Sequence, residues 1–317
     1  MRIHTSICDL LGIQYPIIQG GMAWIAGGRL AAAVSEAGGL GTIGSGNAPT
    51  SWLREEIGIA REITSRNFAV NLMLTSPYLK ENLELLIKEK ISVVATGGGN
   101  PGPLMKTFKE AGTKVMPVVA SVALAKRLER LGADALVVEG VESGGHVGEM
   151  TTMCIVPMVA SEVQIPIIAA GGIFDGRGVA AALALGAQGA QLGTRFICTP
   201  ETNVHPAYQE KVIKTRDRAT VVCGESTGHP VRAIQNSFTR EYLKTEKGGA
   251  DKETLATLGT GRYPLAAVEG DMENGSILAG QICGMVKKMQ PSAEIVEEIM
   301  AEAVAILQKL GGMPCQN

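Results

Sequence analysis

The chain has 317 residues, 45% of them apolar and 19% charged, which is enough apolar side chain for a large core. Lys plus Arg is 29 against 31 for Asp plus Glu, a net charge of −2. That balance gives no electrostatic footprint for nucleic acid or an anionic membrane. Aromatics at 4% argue against a base-stacking surface, and 40 glycines without a Gly-X-Y period exclude collagen.

No apolar run approaches the roughly 20 residues of a membrane span, and residues 1–13 hold no long apolar leader. A cytoplasmic location is therefore expected. The six cysteines, at 8, 154, 198, 223, 283 and 315, form no CxxC pair. They read as scattered buried thiols in a reducing compartment rather than as a zinc site or a disulfide framework.

Eight short apolar runs predict strands. They are Tyr15–Gln19, Leu40–Ile43, Phe68–Met73, Ser92–Thr96, Lys114–Val119, Ala135–Glu139, Pro166–Ala170 and Gly189–Leu192. Such runs suit parallel strands covered on both faces. Helical spacing of apolar residues falls between them, as in Leu30–Ala37, Ser121–Leu131 and Gly178–Leu185. Eight such units predict an α/β fold, a (β/α)8 TIM barrel, rather than a doubly wound sheet. The first strand runs into Gly20-Gly21-Met22, which is not a GxGxxG turn.

The period breaks after Phe196. From about Cys198 to Gly275 the chain is more polar and shows no clear strand spacing, with Lys244–Leu258 its most solvated stretch. The division expected is a barrel of residues 1–197 and 276–317 with an inserted cap of residues 198–275. The barrel period is expected to resume in Ser276–Val286. Ser292 is the expected N-cap of a last amphipathic helix carrying Ile295, Ile299, Ile306 and Leu310.

In such a barrel the site lies at the C-terminal strand ends. This rule selects Gly21 and Met22 after the first strand, Asn71 in the third, and Glu139 in the sixth. It also selects Gly171 and Gly172 after the seventh, and Gly193 and Thr194 after the eighth. Glycine pairs after the last two strands suit a phosphate, because backbone N–H groups can approach it without a Cβ between. Tight turns would use glycine too.

His146, in Ser143-Gly144-Gly145-His146 past the sixth strand, is placed to transfer a proton or polarise a carbonyl. His4 and His205 carry no such signal, and His229 either faces the mouth or is structural. Gln281 either returns to the mouth or packs in the core. The dispersed histidines argue against a catalytic metal.

The motifs QGGMAW (19–24), AGGLGTIGSGNAP (37–49), NLML (71–74), TGGGNP (96–101), EGVESGGHVGEMTTM (139–153), IPIIAAGGI (165–173), QLGTRF (191–196), STGHPVRAIQN (226–236) and GSILAGQ (275–281) run in a known order. The chain resembles the flavin-dependent enoyl-(acyl-carrier-protein) reductases of bacteria, enoyl reductase II, within the superfamily of nitronate monooxygenases. The resemblance spans nearly the whole chain.

It implies FMN with its phosphate on Gly171, Gly172, Gly193 and Thr194. The flavin ring would lie near Gly21, Met22 and Asn71, with Glu139, Gly145 and Gln281 close by, and His146 matches the active-site histidine. Such reductases use NADH or NADPH to reduce a trans-2-enoyl thioester on acyl carrier protein. Some respond to monovalent cations, at a site this sequence does not place, and members are commonly homodimers. The alternative activity is oxidation of alkyl nitronates with O2. Lys211, Lys214, Arg216, Arg218, Arg232 and Arg240 are candidates for a basic patch facing the acidic carrier protein, although a solvated helix face explains them equally well.

Overall fold

The computed structural model describes residues 3–312; Cys315 lies outside them. Seven strands follow one another with one interruption: β1 (Ile17–Gln19), β2 (Thr42–Gly44), β3 (Ala69–Met73), β4 (Val93–Gly97), β5 (Lys114–Val119), β6 (Leu136–Glu139) and, after the two-residue β7 (Gly145–His146), β8 (Ile167–Ala170). β9 (Gly189–Leu192) is the eighth barrel strand. All eight predicted runs overlap a barrel strand. The strands pair in parallel in the order β1-β9-β8-β6-β5-β4-β3-β2.

The ring closes between β1 and β2. Leu40 N–H donates to Ile17 C=O at 2.9 Å, and Gln19 N–H donates to Leu40 C=O at 2.9 Å. Beyond that point the fully buried Gln19 side chain stands in for a strand. Its Oε1 accepts from Thr42 N–H at 3.0 Å and its Nε2 donates to Thr42 C=O at 3.2 Å.

Period-two alternation divides the apolar strand residues into two layers. Ile17, Val70, Val94, Val138 and Ile167 face the helices. Ile18, Ala69, Val93, Val137 and Ile168 face the barrel axis, where Ile7, Cys8 and Leu11 of the helix Ser6–Leu11 plug the N-terminal end. Asn67 Nδ2, just before β3, donates to Leu11 C=O at 3.0 Å and ties that plug in place. The interior is thus filled from below, so only the C-terminal end of the barrel can hold a ligand.

The helix Gly28–Glu36 buries Leu30 and Val34 of the predicted face, but Ala33 and Ala37 are only half-buried and Ala31 and Ala32 are buried instead. Ser121 Oγ accepts from Leu124 N–H at 3.3 Å and caps Val122–Arg130. Asp175 caps Gly176–Ala184, accepting from Arg177 N–H at 3.0 Å. Ser292 is not a cap but the first residue of the helix Ser292–Gly311. Its N–H and hydroxyl are bound by the Glu201 carboxylate at 3.2 and 3.1 Å. Ile295 and Ile299 are buried there, Ile306 is half-buried, and Leu310 is exposed because the helix runs past the core.

The segment after Phe196 is more ordered than its sequence suggested. It holds the helix Pro206–Ile213, β10 (Thr220–Cys223), β11 (Val231–Ile234) and the helices Ser237–Lys247, Lys252–Gly259 and Arg262–Ala267. β10 and β11 pair antiparallel, and β7 pairs antiparallel on the other side of β11. Leu255 in the charge-rich stretch is fully buried against Cys223, Phe238 and Tyr242. Ser276–Val286 adds no barrel strand. Its Ile277, Ala279, Cys283 and Val286 pack with Ile197, Cys198 and Tyr208, and Gln281–Met285 forms a 3-10 turn.

Cys8, Cys198, Cys223 and Cys283 are buried, but Cys154 is exposed on the helix Thr152–Ala160, against the expectation of buried thiols. No helix among the described residues is long and apolar enough to cross a membrane.

Candidate functional site

A cavity of about 770 Å³ opens at the C-terminal strand ends and continues under residues of the segment 198–275. Its size suits a small-molecule site. Gly21 and Met22 line it from β1, Asn71 from β3, Glu139 from β6, and Gly145 and His146 from β7. Gly171, Gly172, Gly193 and Thr194 line it from the turns after β8 and β9. Gln281 does not line it. That side chain is exposed, and its neighbours Gly280 and Ile282 face the cavity instead.

The glycines differ in why they are glycine. Gly171 and Gly172 have φ of +97° and +69°, a left-handed turn that L side chains rarely adopt. A Cβ on Gly21 would stand 2.4 Å from Asn71 Cβ, so Asn71 packs directly over it. Gly193 is under neither constraint. Its φ is −104°, and a Cβ there would come no closer to protein than 3.6 Å, at Met22 Sδ. That Cβ would stand in the cavity. A glycine required by neither backbone nor packing is what a cradle for a bound group looks like.

Thr194 Oγ1 accepts from Gly280 N–H at 2.9 Å, which leaves its own proton free for a ligand. Among the described residues lining the cavity there is no Lys or Arg. An anion here would be held by backbone N–H groups and the Thr194 hydroxyl. Ser143, also in the lining, has its Oγ buried and directed at the Glu139 carboxyl. These features fit the phosphate and polar edges of FMN.

The loop bearing His146 is held on both sides. The Glu142 carboxylate accepts from Thr152 N–H at 2.9 Å and from its hydroxyl at 2.9 Å. Arg232 Nε donates to Val141 C=O at 3.0 Å, and its Nη1 to Thr220 Oγ1 at 3.1 Å. Arg232 is therefore buried and engaged, and does not belong to an exposed basic patch. His205 caps the helix Pro206–Ile213 through Nδ1, and His4 pairs with Asp9.

His146 lies opposite Val231 in the β7–β11 ladder. The residue is exposed and borders the cavity. Partial desolvation by the surrounding protein, with the nearby His229, lowers its pKa from the ordinary imidazole value. Burial pushes the Glu139 carboxyl up to about 7, against an opposing influence from Ser143.

The sequence reading did not single out Trp24, Cys223, Phe238, Tyr242 and Tyr263, which also line the cavity. Trp24 carries φ of +63°, a rare conformation for a bulky residue and one that collects at functional sites. The motif QGGMAW contained it, but no pattern marked its backbone.

A family model described as nitronate monooxygenase matches residues 4–84 and 76–302. The chain belongs to the nitronate monooxygenase family. Members of that family are oxidoreductases that work with flavin. The solved structure of FabK from Thermotoga maritima superposes with a TM-score of 0.95 at 47% identity, covering 98% of this chain and 99% of that one. A probable nitronate monooxygenase of Staphylococcus aureus is 32% identical over 96% of this chain and 98% of its own. A Mycobacterium tuberculosis protein named (3aS,4S,5R,7aS)-5-hydroxy-7a-methyl-1-oxo-octahydro-1H-indene-4-carboxyl-CoA dehydrogenase is 31% identical, over 97% of this chain and 98% of its own.

Proposed function

We propose that the protein is an FMN-dependent enoyl-(acyl-carrier-protein) reductase, which uses NADH or NADPH to reduce trans-2-enoyl thioesters. The observation that carries this reading is the full-length likeness to FabK, an enoyl reductase II, at 47% identity. The S. aureus relative, which has another name, stands at 32%. The carboxyl-CoA substrate in the name of the mycobacterial relative also supports a thioester.

FMN would supply hydride transfer when bound. Gly171, Gly172, Gly193 and Thr194 would hold its phosphate, and Gly21, Met22, Asn71 and Glu139 would surround its ring. His146 would then donate an N–H to the thioester oxygen as negative charge builds there. Residues 198–275 would act as the cap over a barrel of residues 1–197 and 276–317, and contribute Cys223, Val231, Ala233, Phe238, Tyr242 and Tyr263 to the cavity.

A second reading, oxidation of alkyl nitronates with O2, is favoured by the family description and the S. aureus relatives. One comparison separates the two. The purified yellow protein is assayed for NADH and NADPH oxidation with a crotonyl thioester, and for oxygen uptake with a nitronate. Thioester-dependent turnover together with acid-released FMN is the expected result. Nitronate-dependent oxygen uptake without thioester turnover, or release of FAD, overturns the proposal.

A further inference from the structure

The three-stranded sheet β10-β11-β7 places three residues in one register. Cys223 pairs with Val231, and Val231 pairs with His146. Directly opposed residues in antiparallel strands share a face, and all three line the cavity. Ala233, two residues on from Val231, lines it as well. Arg232 falls on the other face, where it is bound to Val141 and Thr220.

We infer that this row, His146–Val231–Cys223, is the floor along which a straight acyl chain lies, with its thioester at His146 and its tail directed toward Cys223. The inference rests on the thioester reading above and assigns the direction of the chain within that site.

The row changes character along its length. It begins at a titratable ring beside the barrel glycines and becomes apolar at Val231. It ends at Cys223, which packs into the small core of Phe238, Tyr242 and Leu255. Burial, with Glu246 and Glu225 nearby, pushes the Cys223 thiol up to about 11. At neutral pH it is therefore a protonated, weakly polar wall rather than a thiolate. Phe238 and Tyr242 meet edge to face at 5.9 Å and line the cavity beside it.

Two strand spacings separate His146 from Cys223, about 10 Å. An extended chain of C–C bonds near 1.5 Å advances about 1.3 Å per carbon, so about eight carbons reach Cys223.

The test is equilibrium binding of saturated straight-chain acyl N-acetylcysteamine thioesters to the flavin-loaded protein by calorimetry. Affinity should rise about fourfold per methylene buried, from butanoyl to octanoyl. Cys223→Trp should abolish that rise, whereas Cys223→Ala should keep it. If the Trp variant does not hold flavin, the unsubstituted protein decides the matter. Octanoyl but not acetyl thioester should slow modification of Cys223 by methyl methanethiosulfonate, read by peptide mass mapping.

Binding that is flat with chain length, a rise that survives Cys223→Trp, or no protection of Cys223 each overturns the assignment, even in a protein that reduces crotonyl thioester. A chain-length rise that depends on Cys223, in a protein that does not reduce crotonyl thioester, upholds the row and overturns the reductase reading instead.

Discussion

Gly193 separates ligand binding from folding more cleanly than the other glycines of the cavity. Its φ of −104° is open to every residue, and a Cβ there makes no close contact. Gly193→Ala should therefore change the stability of the flavin-free protein by no more than about 0.5 kcal/mol, the range of a neutral substitution. Gly193→Asp places a carboxylate where the phosphate would lie. Two like unit charges about 4 Å apart at an effective dielectric near 20 repel by about 4 kcal/mol. That is about 10³ in affinity. Gly171 is the control. It has φ of +97°, and a Cβ there would stand 2.9 Å from the Gly140 carbonyl oxygen, so Gly171→Ala should destabilise the flavin-free protein by about 1 kcal/mol or more. The measurements are flavin-to-protein absorbance ratio after dialysis, and urea unfolding of the flavin-free forms. Full flavin retention in Gly193→Asp would refute an anion at this loop. A loss of stability in Gly193→Ala equal to that in Gly171→Ala would show that the fold itself requires the glycine.

His146→Ala should slow flavin reoxidation by crotonyl thioester about 10²–10³-fold, with flavin content retained. Stopped-flow absorbance reads this half-reaction separately from reduction by nicotinamide, and an unchanged rate would remove His146 from the chemistry. Glu139 makes a pH prediction. With its pKa raised from 4.5 to about 7, the folded flavin-free protein holds a proton between those values that the unfolded chain has released. Its contribution is therefore present below about pH 4.5 and is lost as pH rises to about 7, by about 3 kcal/mol in all. His146 acts in the opposite direction, since its lowered pKa removes stability as pH falls below 6.5. In urea unfolding, Glu139→Gln should gain on the parent protein between pH 5 and pH 8, and a constant difference would refute the shift.

What could be read from sequence tracked how local each cause is. The eight barrel strands were visible because each is covered on both faces and reads as an apolar run. The glycine turns after β8 and β9 were visible because their cause is local, the glycines themselves. The caps at Ser121 and Asp175 are as local but were not singled out, and Ser292, which was, is the first residue of its helix. β10 and β11 were not visible, because what makes them strands is partly a partner far back in the chain. Val231 pairs with His146, a residue read only as part of a loop. The apolar run is also interrupted by Arg232, a charged side chain whose burial depends on the carbonyl of Val141 and the hydroxyl of Thr220. Leu255 was misread because charges surround it in sequence while apolar residues surround it in space.

Gln281 is a different kind of miss. The chain does return to the cavity there, but through the backbone of Gly280. Its N–H binds Thr194, and a Cβ on it would stand 2.7 Å from the Glu142 carbonyl oxygen. Gln281 N–H in turn donates to that same Glu142 carbonyl at 2.9 Å. Main chain, not side chain, therefore joins residues 280–281 to the loop that carries His146 and to the turn that carries Thr194. This junction physically bridges the place proposed for phosphate and the place proposed for chemistry. Barrel turns shape the first of these places, and long-range strand pairing shapes the second.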